Sequence, residues 1–115
     1  MLKEVSFSHR RKKVKIKAKS MNFFGKIFGL MFVQKEKASA LLFEFEKPTK
    51  IKIHSLFVFF SFVAVWLDEK NKVIETEIIK PFTVSAMPRR PFKRLIEIPL
   101  NSKYSFNVKS LISRR

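Results

Sequence analysis

IKIHSLFVFFSFVAVWLDEKNKVIETEII, residues 51–79, holds the longest apolar run of the chain, Leu56–Leu67, interrupted only by Ser61. How that run is read decides the fold. A membrane-crossing helix needs about 20 apolar residues to span about 30 Å of hydrocarbon. The run falls well short of this, and Lys50, Lys52, Asp68 and Lys70 bracket it closely. Val, Ile, Phe and Trp dominate, and such side chains fit a pleated surface better than a helix. The stretch therefore predicts two strands, Lys50–Phe59 and Phe62–Leu67, with a bend near Ser61. Continuous apolarity implies that both are covered on both faces. The polar run Asp68-Glu69-Lys70-Asn71 then turns the chain into the strand Lys72–Lys80. Asn71 is the residue suited to the left-handed conformation of a short hairpin.

The flanking segments extend this reading. In ALLFEFE (Ala40–Glu46), Leu41, Phe43 and Phe45 line one face of a strand and Leu42, Glu44 and Glu46 the other. Lys47-Pro48-Thr49 links it to the central stretch, and Val33–Ser39 is a polar connection. Ser20 predicts an N-cap for a short helix, Met21–Met31, whose Phe23, Phe24, Ile27 and Phe28 recur near helical spacing. Gly25 and Gly29, the only glycines, lack the Lys and Ser/Thr of a phosphate-binding loop, so they read as close packing against the sheet. Val14, Ile16 and Ala18 alternate with Lys13, Lys15, Lys17 and Lys19, a period-two strand within Arg10–Ser20. Met1–His9 reads as an edge strand or arm. Beyond the hairpin, Pro81, Pro88 and Pro91 predict an extended surface loop over Lys80–Arg94. Arg94–Pro99 and Tyr104–Leu111 read as two last strands, and Ile112–Arg115 as a frayed end. The expectation is one domain, 1–115, of all-β class: a mainly antiparallel barrel or sandwich with one short helix. The alternative is α+β.

Lys and Arg outnumber Asp and Glu 25 to 9 in 115 residues, a formal charge of +16. Such a cation attracts polyanions through its long-range field and by counterion release. The lysine row on Lys13, Lys15, Lys17 and Lys19 is costly through like-charge repulsion unless an anion meets it. It also serves as an edge guard against strand pairing between molecules. Arg10, Arg11 and Lys12 at its start favour a partner. A second cluster, Arg89, Arg90, Lys93 and Arg94, surrounds Phe92, a combination suited to phosphate contact and base stacking; Phe82 and Phe92 read equally as pins to the core. Nucleic acid or another polyanion is the expected partner. The competing reading is a protein-interaction or structural domain whose charge is surface chemistry. No amphipathic basic helix marks a membrane-surface protein.

Catalytic chemistry finds little support. There is no cysteine, so neither a thiol nucleophile nor a disulfide framework exists. His9 and His54 are the only histidines, and neither has a nearby set of ligating residues, so no metal or cofactor is expected. Asp68 reads as a turn residue, Glu75 and Glu77 as one strand face paired with lysines. Glu97 reads as solvent-facing or as a buried carboxylate partnered by Arg or Lys. No nucleophile, base and orienter can be named together, which points away from an enzyme. The charged MLKEVSFSHRRKK start lacks the apolar core of an export signal, so a cytoplasmic location is expected.

Several segments come in an order that resembles the "uncharacterised ACR" family. They are Gly29-Leu30-Met31-Phe32, Ala40-Leu41-Leu42-Phe43, Ile53-His54 through Phe57-Val58-Phe59-Phe60, Val65-Trp66-Leu67-Asp68, Lys80-Pro81 and Ile96-Glu97-Ile98-Pro99. The resemblance implies a small archaeal or bacterial domain, mainly antiparallel β with a small helix, and carries no activity with it. The chain departs from that pattern at three places. Ser61-Phe62-Val63 stands where the family usually has Pro-Ile-Asp, Val33 where it has a basic residue, and Leu100-Asn101-Ser102 where it has a glycine-containing turn. A family site built on that carboxylate would be missing here.

Overall fold

In the computed structural model of the protein, the described residues are 2–21, 30, 33–55 and 57–112. Six strands are present among them: β1 (Leu2–His9), β2 (Lys12–Ser20), β3 (Leu41–Thr49), β4 (Phe62–Leu67), β5 (Val73–Ile79) and β6 (Phe92–Pro99). They form one sheet of order β1-β2-β3-β6-β4-β5, curled into a half-barrel, so the all-β expectation holds. Pairing is antiparallel except between β2 and β3, which meet in parallel only at Lys19–Leu41 and Ser20–Leu42.

The sheet separates two apolar cores, and residue parity assigns side chains to them. Val63, Val65, Leu67, Ile96, Ile98 and Leu42 point to one side, where Val5, Phe7, Val14, Ile16 and Ala18 of the β1–β2 hairpin cover them. Phe62, Ala64, Trp66, Leu95, Leu41 and Phe43 point to the other, under Val58, Phe60 and Ala86. Every residue of β4 is buried. This two-sided burial is why its sequence shows no alternation.

The β4–β5 hairpin forms as its sequence predicts. Asn71 has φ 61°, and the Asp68 carboxylate accepts hydrogen bonds from the backbone N–H of Lys70 at 2.8 Å and Lys72 at 2.9 Å. Both are devices by which a short polar side chain stabilises a turn.

Three expectations are corrected. No strand forms over the described residues of 50–59. The chain turns at Ser55, where Val58 N–H donates to the Ser55 carbonyl, and Ile53 makes an isolated antiparallel bridge with Ala86. Val58 and Phe60 dip into the core while Phe57 and Phe59 stay exposed, so apolar residues here record a loop crossing over the sheet. Second, Tyr104–Leu111 is helical. A 3-10 turn, Ser102–Tyr104, leads into α1, Ser105–Ile112. Tyr104, Val108 and Leu111 share one face against the first core at the i, i+4, i+7 spacing of a helix, although Tyr104 and Val108 by themselves also suit period two. Asn101 settles the choice: its side chain accepts from Lys103 N–H at 3.1 Å and donates to the carbonyls of Lys35 and Ala38. Third, β6 starts at Phe92, inside the predicted loop, because the Phe92 ring is buried. The helix expected over Met21–Met31 lies, Met21 and Leu30 apart, outside the described residues, as do residues 113–115 of the end expected to fray over Ile112–Arg115, whereas Ile112 closes α1.

Candidate functional site

The two basic segments meet very different surroundings. On the β1–β2 hairpin, inward Val5 and Phe7 pair with Ile16 and Val14, while outward Ser8, Ser6, Glu4 and Leu2 stand opposite Lys13, Lys15, Lys17 and Lys19. All four lysines are exposed, and Glu4 is the one carboxylate in that row. His9 pairs with Lys12, which leaves Arg10-Arg11 as a two-residue loop, and both have positive φ, 52° and 67°. Positive φ at both central residues is the signature of a type I′ turn, where Asn-Gly is the usual choice. Each side chain other than Gly or Asn costs about 1–2 kcal/mol there. The hairpin forms despite this because burying Val5, Phe7, Val14 and Ile16 contributes about 1.5–3 kcal/mol apiece. His9, beside the turn, has a lowered pKa, first through desolvation and then through Arg10, against a hydrogen bond with the Leu111 backbone.

The second cluster is dispersed. Arg89 N–H donates to Glu75 Oε1 at 3.0 Å, and its guanidinium donates to the Ile74 carbonyl at 3.1 Å. Arg94 Nε donates to Glu44 Oε2 at 3.2 Å and Nη1 to Asn71 Oδ1 at 3.0 Å. Arg90 is exposed and Lys93 half-buried. Phe92 is 1% exposed, so the aromatic of the predicted stacking pair belongs to the core. Phe82, in contrast, is half exposed and does not pin the loop. The second cluster is divided by the sheet: Arg94 meets Glu44 on the hairpin's side, beside Lys3 of β1, whereas Arg89 is held by Glu75 and Ile74 of β5, so the four residues do not form one site.

Sequence reasoning missed the cleft of about 230 Å³ between β1, β3 and β6, lined by Lys3, Glu4, Ser6, Glu44, Asn71 and Arg94. Glu44 receives both Lys3 Nζ and Arg94 Nε at 3.2 Å. Its pKa is lowered: desolvation is the largest single effect and acts upward, and the hydrogen bonds from Lys3 and Arg94 together outweigh it. Asn71 donates to the Ser6 carbonyl at 3.0 Å and accepts Ser8 N–H at its own carbonyl, tying the β4–β5 turn to the hairpin. The group is a neutralised clamp. Glu44 opposite Arg94 in the β3–β6 register is its only local signal, and that appears once the strands are paired.

Glu97 corrects another expectation. It is 7% exposed on the second core face, between Leu41 of β3 and Ala64 of β4, with neither Arg nor Lys against it among the described residues. Burial pushes its pKa up to about 8, so the carboxyl is protonated at neutral pH. Glu75, expected to pair with lysines, pairs with Arg89 at 3.5 Å. Among the described residues no three His, Asp or Glu converge as metal ligands, and no helix is long and apolar enough to cross a membrane.

A family model described as Uncharacterized ACR, DUF192, matches residues 5–110. Among solved structures, a protein of unknown function from Novosphingobium aromaticivorans DSM 12444 is similar at TM-score 0.73 and 11% identity, over 91% of this chain and 77% of that one. A protein from Sinorhizobium meliloti 1021, described as a candidate transcription regulator, is similar at TM-score 0.70 and 11% identity, over 89% of this chain and 82% of that one. Comparison with curated proteins gives no match.

Proposed function

The chain belongs to the uncharacterised ACR family, and we propose that it binds a polyanion, with nucleic acid the first class to test, through the outer face of its β1–β2 hairpin. The Arg10-Arg11 turn carries this reading. Two arginines occupy positions where Asn-Gly would relieve strain, and they lead directly into the exposed row Lys13, Lys15, Lys17, Lys19. Strained backbone retained at a surface tip is a pointer to function. The spacing of alternate strand residues, about 6.6–6.8 Å, is of the order of successive phosphates along an extended strand. Arg89 and Arg94, engaged with Glu75 and Glu44, contribute field and no contact. One structural neighbour is described as a candidate transcription regulator, but at 11% identity that likeness supports the fold alone.

The test is fluorescence-anisotropy binding to short single- and double-stranded RNA and DNA across a salt series. Replacing Lys13, Lys15, Lys17 and Lys19 by Gln should flatten the slope of log K against log salt by about 3–4 on a duplex. Equal slopes for wild type and variant would defeat the reading and return the charge to general surface chemistry.

A further inference from the structure

On the opposite face of the sheet, two loops are joined at Ser55. The Ser55 hydroxyl donates to the Lys80 carbonyl and accepts Thr83 N–H, both at 2.6 Å; its N–H donates to the Thr83 carbonyl, and its own carbonyl accepts Phe82 N–H at 2.9 Å. Ile53 and Ala86 add two backbone hydrogen bonds of 2.8 Å. This frame holds Phe57 and Phe82 at φ 63° and 62°. For a bulky side chain that conformation is a true outlier. Both rings pass out into solvent, 49% and 50% exposed, and Phe59, edge-to-face with Phe82 at 5.5 Å, is 61% exposed. Val84 in the same loop is 77% exposed. An ordered frame that spends backbone strain to turn aromatic rings outward marks an interaction surface.

The charge around the rings selects the partner. Residues 50–60 and 80–91, the two loops that meet in the frame, contain Lys50, Lys52, Lys80, Arg89 and Arg90 and no Asp or Glu, and only Arg89 among these cations is shown against a carboxylate, that of Glu75. Apolar tips carried by loops rich in cations fit a surface that is apolar inside and anionic at its edge. Stable attachment to a lipid surface takes two signals, apolar insertion and basic charge, and both are present here. A stacking platform for single-stranded nucleic acid would use the rings but gain nothing from Val84 or from Ile51, which is 47% exposed. We infer that the Ser55-joined loops insert Phe57, Phe59 and Phe82 into the headgroup region of an anionic lipid bilayer. This surface lies across the sheet from the hairpin and stands or falls independently of it.

Vesicle flotation tests it, with phosphatidylcholine alone or mixed with phosphatidylglycerol. Wild type should float with the anionic vesicles and remain below with the neutral ones. Asn accepts left-handed backbone far better than Phe, so Phe57→Asn with Phe82→Asn should fold at least as stably as wild type and partition about tenfold more weakly or worse. A single Phe59→Trp should show an emission shift to shorter wavelength and quenching by lipids brominated along the acyl chain, over the constant background of fully buried Trp66. Vesicle binding unchanged in the Asn variants, or Phe59→Trp unquenched, overturns the inference. So does wild-type self-association in light scattering that the Asn variants abolish, because the rings would then be covered by a second copy. Loss of single-stranded RNA binding in those variants, with vesicle binding intact, would reassign the rings to base stacking.

Discussion

Two segments that look alike in sequence, Arg10–Lys19 and Arg89–Arg94, end up in opposite electrostatic situations. Each opens with an Arg-Arg pair and continues in lysine or arginine. Yet the hairpin row faces outward with one carboxylate among its four lysines, while Arg89 and Arg94 are bound to Glu75 and Glu44 from other strands. The difference teaches that a run of cations is presented or committed according to what distant strands bring beside it. Local charge density is silent on that point.

The largest effect expected from this contrast is on binding. Neutralising Lys13, Lys15, Lys17 and Lys19 should weaken low-salt affinity for RNA or DNA by on the order of two to three decades, whereas neutralising Arg89 and Arg94 should cost under one. An equal loss from the two sets would erase the distinction.

Carboxylates sharpen the same contrast through pH. Glu97, buried without a cation among the described residues, is protonated when folded, with a pKa of about 8, and ionises near the ordinary carboxylate pKa when unfolded. The folded state therefore holds the extra proton between those values, and stability should fall as pH rises, by up to about 1.4 kcal/mol per pH unit until pH about 8. Urea unfolding at several pH values should show that slope, and Glu97→Gln should remove it. Glu44 runs the other way. Its pKa is lowered by its hydrogen bonds to Lys3 and Arg94, so its contribution is present above the ordinary carboxylate pKa and lost as pH falls below it.

Arg94→Gln, which leaves Glu44 with Lys3 alone and removes the donor to Asn71 Oδ1, should destabilise by about 1–3 kcal/mol near neutral pH and by less in acid, where Glu44 is protonated. Lys13→Gln, at an exposed position of the hairpin row, should change stability by under about 0.5 kcal/mol. If the two substitutions cost the same in denaturant midpoints, commitment to Glu44 has no energetic content.

A last variant separates stability from binding at one place. Arg10→Asn with Arg11→Gly should raise stability by about 1–2 kcal/mol, since each replacement suits positive φ. The same variant should lose affinity for polyanions. A stabilised protein with unchanged binding would show that the turn arginines are incidental.

Some of this was legible residue by residue. The β4–β5 hairpin was marked by unbroken apolarity across Phe62–Leu67, followed by Asp68 and Asn71, whose turn chemistry is local. Val14, Ile16 and Ala18 declared the inward face of β2 because period two is a property of backbone geometry alone. The helix α1 read as a strand because Tyr104 and Val108 also satisfy period two, and the Asn101 contacts to Lys35 and Ala38 that favour the helix link positions 66 and 63 residues apart. The loop around Ser55 read as strand because its apolar residues suggested a core on both sides, whereas Phe57 and Phe59 face solvent.

Sequence by itself determined the charge, the absence of thiol chemistry, the all-β class and the inward face of the hairpin, because these rest on composition and on side-chain alternation between neighbours. Tertiary structure alone decided which cations are bound by carboxylates, that Glu97 is buried without a counter-charge among the described residues, and that two loops meet at Ser55 to hold aromatic rings outward. Each of those depends on groups brought together from distant strands, where burial and Coulomb attraction act through space and leave no mark on the order of residues.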